Sequence, residues 1–205
     1  MPIKRIKILP VCKSVIQNIT DKSSEQAAPY YHLLRLAMEL NLAIVQNKEI
    51  EDGSQYLGLF YARSLLSNFA FTPFIMEGKK WPTCEHYFQY KKAETFNDQL
   101  AMQAILQVEK PLEAKRIGQN IRGYDDTLWS TMRMDIMLRG LRAKFLDPNR
   151  RAVLNSTKPL YLVETSKYDH YWGNGLLRSN EQNSYPSKWP GQNFLGKCLM
   201  IVRDE

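Results

Sequence analysis

Trp81-Pro82-Thr83-Cys84-Glu85-His86-Tyr87-Phe88-Gln89-Tyr90-Lys91-Lys92 is the stretch on which the reading of this chain turns. Thr83 follows a Trp-Pro pair and suits the N-cap of a helix, because its hydroxyl can accept a hydrogen bond from a backbone N–H of the first turn. A helix running through the nineties follows. Within it Glu85, Gln89 and Lys92 fall at i, i+4 and i+7 and share one face, the outer two about 10 Å apart along the axis. The result is a stripe of acid, amide and amine. Such a stripe has two readings: a solvated helix face with an i,i+4 pair, or the polar wall of a pocket. Trp81, Tyr87, Phe88 and Tyr90 flank it, each a core residue taken singly and together able to enclose a site where a base stacks. Spacing alone leaves both readings open.

Working outward, most of the chain reads as helix. Asn97 or Asp98 can cap a helix to about residue 108. Pro111 can open another through Ile117 that ends near Gly118, and Asp125 or Asp126 a long one through Phe145, closed by Asp147-Pro148. Short strands are expected at 56–61, at 69–76 before the turn Glu77-Gly78-Lys79, and at 160–164. Residues 173–193 read as a polar loop with Gly173, Gly175, Pro186, Pro190 and Gly191, and 195–202 as a closing core element. Toward the N-terminus, residues 1–28 suggest a strand or loop followed by a linker. Pro29 then suits a first helical position, and Leu33, Leu34, Ala37, Leu40 and Ile44 recur at helical spacing, giving a buried helix over 29–46. Glu51-Asp52-Gly53-Ser54 marks a turn, so the expected division is an N-terminal extension over 1–54 and a main domain over 55–205. The expected class is α+β, predominantly helical, with a few short strands.

Composition narrows the function classes. With 44% hydrophobic and 24% charged residues in 205, the chain is of ordinary globular make-up. It has no apolar run of membrane-spanning length, and Met1-Pro2-Ile3-Lys4-Arg5-Ile6-Lys7 lacks the pattern of a signal peptide, so a cytoplasmic protein with no membrane partner is expected. Cys12, Cys84 and Cys198 show no metal or disulfide spacing. The net charge of +7 fits either a solvated basic face or attraction of an anionic nucleotide or nucleic acid. Its Lys and Arg residues are spread along the chain, which keeps both open.

A second constellation is Tyr168-Asp169-His170-Tyr171-Trp172-Gly173-Asn174-Gly175. Its glycines would let the backbone approach a ligand, and Trp172 could stack on a base; a turn with a structural tryptophan is the alternative. Ser67-Asn68-Phe69 adds an amide able to read a hydroxyl or base edge, or simply an asparagine in a turn. His86 and His170 make no metal-binding pattern with nearby acids, and neither a P-loop nor GxGxxG occurs, so neither a metal nor a cofactor is expected.

Taken in order, these motifs resemble the YbiA-like, or NADAR, family: Ser67-Asn68-Phe69, Pro73-Phe74, Gly78 with Trp81 through Lys92, Ala143-Lys144-Phe145, Leu162-Val163-Glu164, Trp172-Gly173-Asn174-Gly175, and Asn193 through Arg203. The resemblance covers roughly residues 56–203. It implies a single compact YbiA-like domain that hydrolyses N-glycosidic bonds of ribose phosphates. Family substrates include early riboflavin-pathway ribosylamino-pyrimidine phosphates and ADP-ribose attached to guanine in nucleic acid. By motif, Glu85, Lys92 and Asp169 would be catalytic, and Asn68, Trp81, Trp172, Gly173 and Asn174 would bind substrate.

The chemistry fits that implication. Departure of the base leaves positive charge on C1 and the ring oxygen, which a carboxylate can stabilise while activating water. Glu85, in the first helical turn, is cast as that ionised group. A buried, neutral Lys92 could attack C1 of the opened sugar and form a Schiff base. Asp169 would hold ribose hydroxyls or share the acid/base work, and Trp172 would stack on the base. Rival readings are removal of ADP-ribose from a nucleobase in DNA or RNA, a non-catalytic binder of ADP-ribose or NAD, and a nucleic-acid-binding module. Arg178, Lys188, Tyr185 and Trp189 in the loop over 176–192 would suit the larger substrates. The oligomeric state is not legible.

Overall fold

The computed structural model describes residues 22–49, 56–158 and 160–205, together with Lys13, Val15, Gln17 and Thr20. Most of the expected N-terminal strand or loop, Cys12 and the turn Glu51-Asp52-Gly53-Ser54 lie outside the described residues. In chain order the elements are α1 (Ser24–Glu39), β1 (Ala43–Gln46), β2 (Tyr56–Phe60), β3 (Phe74–Met76), β4 (Lys79–Trp81), α2 (Cys84–Thr95), α3 (Gln99–Gln107), α4 (Pro111–Gly118), α5 (Asp126–Lys144), α6 (Pro148–Ser156), β5 (Leu160–Glu164) and α7 (Phe194–Asp204). This is the predominantly helical α+β class expected. Among the described residues no helix is long and apolar enough to cross a membrane.

Two compact units divide the chain: Met1–Ser64 with Ser156–Lys197, and Leu65–Asn155 with Cys198–Glu205. In the first, β2 is the middle strand of a three-stranded sheet, antiparallel to β1 and parallel to β5. All five β2 residues are buried, as a central strand requires. Ala43, Leu57, Leu59 and Val163 form its core cluster, with Val45, Tyr161 and Trp189 packed on it.

The N-terminal helix differs from expectation. It starts at Ser24, places Pro29 inside rather than at its first position, and stops at Glu39. Asn41 then takes a left-handed conformation (φ 54°), and residues 43–46 extend into β1, so Ile44 pairs with Gly58 instead of continuing a helix face. A short apolar run has no periodicity to separate strand from buried helix, so the pattern over 29–46 does not mark the end of the helix.

In the second unit β3 and β4 form a hairpin whose turn residues, Glu77 (φ 52°) and Gly78 (φ 71°), both have positive φ, the type I′ geometry that matches strand twist. The strand expected over 69–76 begins only at Phe74. The preceding residues turn instead, with Ala70 N–H donating to the Ser67 carbonyl and Thr72 N–H to that of Pro82. Helix α2 contacts α3, α4 and α5, and its residues from Cys84 to Tyr90 are buried together with Ala93. Pro148, read as a stop, instead opens α6 at the position where a missing N–H costs nothing.

Candidate active site

Thr83 is the N-cap anticipated: its Oγ1 accepts from His86 N–H at 3.3 Å. It also meets His86 Nδ1 at 2.8 Å, and Nε2 of that ring lies 3.2 Å from the Val108 carbonyl. Nε2–H therefore donates to Val108, and Nδ1 accepts from the Thr83 hydroxyl. Burial lowers the pKa of the imidazole, against the bond to Val108, so His86 anchors the cap as a neutral ring.

One turn on, the stripe is not a solvated face. Glu85 is 6% exposed and Gln89 7%, and Gln89 Nε2 donates to Glu85 Oε1 at 2.7 Å. Lys92 is half-buried; its Nζ donates to the Gly118 carbonyl at 2.9 Å and lies 4.2 Å above the Tyr124 ring. Burial depresses the lysine pKa, with the Asp126 charge acting the other way. Gly118 meets both the amide and the amine of the stripe: a Cβ there would stand 1.8 Å from Gln89 Oε1, and its carbonyl accepts from Lys92. Its lack of a side chain seats the amide, and its carbonyl holds the amine. In the sequence Gly118 is legible only as a helix terminator, and no signal marks Tyr124.

The Ser67-Asn68-Phe69 segment is tied into the same unit. Glu85 N–H donates to the Asn68 carbonyl at 3.1 Å, and Lys144 Nζ, fully buried, donates to the Ser67 carbonyl at 2.8 Å. Asn68 is buried; its Nδ2 contacts Met137 Sδ at 3.3 Å, while its Oδ1 has no hydrogen-bond partner. An unpaired buried acceptor costs about 1–3 kcal/mol, and Asn68 Oδ1 shares that state with the Tyr87 hydroxyl. Lys144 is a further addition: its only sequence signal was its place in Ala143-Lys144-Phe145. Trp81 is 1% exposed, gives its Nε1–H to the Met76 carbonyl, and packs its ring 5.6 Å from Tyr87 and 5.0 Å from Tyr90. It closes the hairpin that delivers the chain to Thr83.

Asp169, Trp172, Gly173 and Asn174 belong to the first unit. Asp169 Oδ1 accepts from Trp172 N–H at 2.8 Å and Tyr171 N–H at 3.3 Å, folding the segment into a tight turn. Trp172 is half-buried, its ring edge-on to Tyr171 at 4.9 Å. The close approach made at Gly173 is to the chain itself: a Cβ there would stand 2.9 Å from the Asp169 carbonyl oxygen, and one at Gly191 2.4 Å from that of Gly173. Asn174 is fully buried and satisfied, its Nδ2 donating to Asn183 Oδ1 at 2.7 Å and its Oδ1 accepting from Leu176 N–H at 3.1 Å. The loop is locked from its far end too. Asn193 Oδ1 accepts from Glu164 N–H and its Nδ2 donates to the Leu162 carbonyl, both at 2.9 Å, extending the edge of β5. The N–H groups of Asn193, Phe194 and Leu195 donate to the carbonyls of Gly173, Tyr171 and Trp172, capping the start of α7.

Of the loop side chains suited to a larger substrate, Tyr185, Lys188 and Trp189 are engaged locally, whereas Arg178 reaches Asn41. Trp189 gives its Nε1–H to the Asn183 carbonyl and packs 6.4 Å from Tyr161, and Lys188 lies over the Tyr185 ring. Among the described residues no group of three or more His, Cys, Asp or Glu side chains is placed to hold a metal.

Residues 48–205 match the family described as the NADAR domain. N-glycosidase YbiA of Escherichia coli (strain K12) is 36% identical over 140 residues, which cover 68% of this chain and 79% of that protein. An N-glycosidase of Acanthamoeba polyphaga mimivirus is 34% identical over 130 residues, 63% of this chain and 76% of the viral protein. The riboflavin biosynthesis protein PYRR, chloroplastic, of Zea mays is 35% identical over 133 residues, 61% of this chain but 20% of PYRR. The NMR structure of E. coli YbiA superposes with a TM-score of 0.58 at 31% identity, covering 78% of this chain and 88% of that one.

Proposed function

Because the chain belongs to the NADAR domain family, whose relatives include named N-glycosidases, we infer that it is a hydrolase of N-glycosyl bonds, and we propose a phosphorylated ribosylamino-pyrimidine of the riboflavin-pathway type as its substrate. The observation that carries the proposed site is the buried Glu85–Gln89 pair, with Glu85 N–H bonded to the Asn68 carbonyl and a partly desolvated Lys92 in the same unit. The C1–N bond breaks, the departing nitrogen takes a proton, and water adds hydroxide to C1. Glu85 stabilises the positive charge that develops at C1 and the ring oxygen, and orients the water. Gln89 fixes the carboxylate through a bond to one oxygen, and the Asn68 carbonyl accepts a hydroxyl or an N–H of the substrate.

Lys92 supplies either a cation near the leaving base or, once neutral, the nucleophile of a Schiff-base route, and burial shifts its pKa in the direction the second needs. Asp169 is assigned by motif to the ribose hydroxyls or a share of the acid/base work, and Trp172 to stacking on the base. Their support is the turn that fixes Asp169 against the Trp172 N–H. Gly173 and Asn174 contribute by holding that turn in place. No cofactor is required by this chemistry, and a cytosolic site of action belongs to the same proposal. The likeness to the maize riboflavin protein supports the pyrimidine substrate over ADP-ribosylated nucleic acid, as does the engagement of Trp189 within its own loop.

The test is chromatographic detection of free base from a panel of ribosylamino-pyrimidine phosphates and ADP-ribosylated oligonucleotides. Release from the pyrimidine phosphates, reduced about 10²–10³-fold in kcat by Glu85→Gln, is the expected result. Inactivity on the whole panel combined with tight ADP-ribose binding overturns it.

A further inference from the structure

A cavity of ≈ 440 Å³ lies wholly within the first unit, its wall including Tyr61, Ser166, Lys167, Tyr168, Arg178 and Ser179. Arg178 is half-buried. One of its guanidinium nitrogens is 3.0 Å from the Asn41 carbonyl and 3.4 Å from Asn41 Oδ1. Burial, and then the like charge of Arg63, hold its pKa below the ordinary value. Among the described residues, none of Arg63, Lys167 and Arg178 makes an ion pair with a carboxylate. In the second unit arginines do find acids, as Arg122 does with Asp98 and Arg142 with Glu205.

A half-buried guanidinium on a cavity wall, with no carboxylate partner, gains most when an anion enters. The hydroxyls of Ser166 and Ser179 and the phenols of Tyr61 and Tyr168 add donors suited to phosphate oxygens or to sugar hydroxyls. The segment that supplies Ser166, Lys167 and Tyr168 runs directly into Asp169.

We propose that this cavity binds the phosphate group of a small phosphorylated ribose, Arg178 and Lys167 neutralising its charge. Binding of the phosphate does not depend on the N-glycosidase reading above, which supplies only the class of ligand. A monoester dianion matches the two cations of the wall, and the cavity lies in the size range of small-molecule sites. The diphosphate of an ADP-containing ligand presents the same chemistry, and a nucleic-acid phosphodiester presents a single charge per phosphate.

Titration calorimetry and amide chemical-shift mapping on the full chain test this, with ribose 5-phosphate, ADP, unphosphorylated ribose and a short single-stranded DNA as probes. Ribose 5-phosphate is expected to bind at least tenfold more tightly than ribose and to shift the amides of residues 165–168 and 177–179. Arg178→Ala and Lys167→Ala are each expected to raise its Kd about tenfold or more. If ADP binds and ribose 5-phosphate does not, the phosphate source is a diphosphate and the same two variants must still weaken it. Should Arg178→Ala fail to fold, Lys167→Ala decides, since Lys167 is exposed. Unchanged Kd in the folded variants, shifts confined to other regions, or binding of the oligonucleotide alone overturns the proposal. Base release that persists without phosphate recognition sinks this pocket and leaves the N-glycosidase reading standing. Phosphate binding here without base release from any substrate does the reverse.

Discussion

Gly118→Ala tests whether one missing side chain holds the acid–amide–amine stripe in place. The new Cβ would stand 1.8 Å from Gln89 Oε1, 2.5 Å from its Cδ and 3.1 Å from its Cβ. Carbon contacts settle near 3.5–4.0 Å, so the amide must swing aside by roughly 1.5 Å or more, which breaks its 2.7 Å bond to Glu85. Losing a hydrogen bond to a charged group costs about 1.5–3 kcal/mol, and the gain in helix propensity from glycine to alanine returns up to about 1. A net loss of about 1–2 kcal/mol lowers Tm by roughly 2–8 °C in a chain of this size. With Glu85 no longer oriented, kcat/KM for base release is expected to fall about 10–100-fold. Urea denaturation and steady-state kinetics read the two effects, and a double-mutant cycle with Gln89→Ala isolates the cause. Once the amide is gone, Gly118→Ala should be neutral or slightly stabilising. An equal destabilisation in both backgrounds refutes the reasoning, because the clash would then lie elsewhere.

Borohydride reduction during turnover should attach substrate to the wild-type chain and not to Lys92→Ala; an adduct that survives the substitution rules out the Schiff-base route. Asn193→Ala removes the partners of Glu164 N–H and the Leu162 carbonyl and should cost about 2–4 kcal/mol by urea denaturation; a loss under about 0.5 kcal/mol would show that the edge of β5 does not depend on them. Burial depresses the folded pKa of His86 from its ordinary 6.5, so the unfolded chain binds the proton more readily. Stability should therefore be full above that value and decline as pH falls through it, and His86→Asn should flatten the decline; an unchanged acid slope in that variant excludes His86 as its source.

Much of the second unit was legible because its signals are local. The side chains of Thr83, Asp98 and Asp125 each accept a backbone N–H in the first turn of the helix they open. Pro111 opens α4, as its fixed φ and missing N–H suit. The stripe over Glu85, Gln89 and Lys92 was equally readable, but whether it faced solvent was not, since burial is decided by distant residues. Gly118 is 29 positions from Gln89, and no spacing rule links them. Lys144 likewise reveals its role only through the Ser67 carbonyl. The errors at 29–46 and 69–76 share a cause: apolar and aromatic runs too short to show a period, broken by a left-handed Asn41 in one case and by turns after Ser67 in the other.

The pairing of β2 with β5 joins Tyr56 to Leu160, with the whole stretch Leu65–Asn155 between them. At ribosomal speeds of about 5–20 residues per second, β2 waits roughly 5–20 s after emerging for its parallel partner to be made. Through that interval the five apolar and aromatic positions of Tyr56–Phe60 have only β1 beside them, while the intervening stretch can complete its own hairpin and helix contacts. The nascent chain is then an exposed strand edge tethered to a helical body that still lacks Cys198–Glu205, a species open to chaperone capture and to pairing with a neighbouring copy. Slowing translation across residues 65–155 should lengthen that exposure and raise the aggregated fraction without altering any contact of the finished protein.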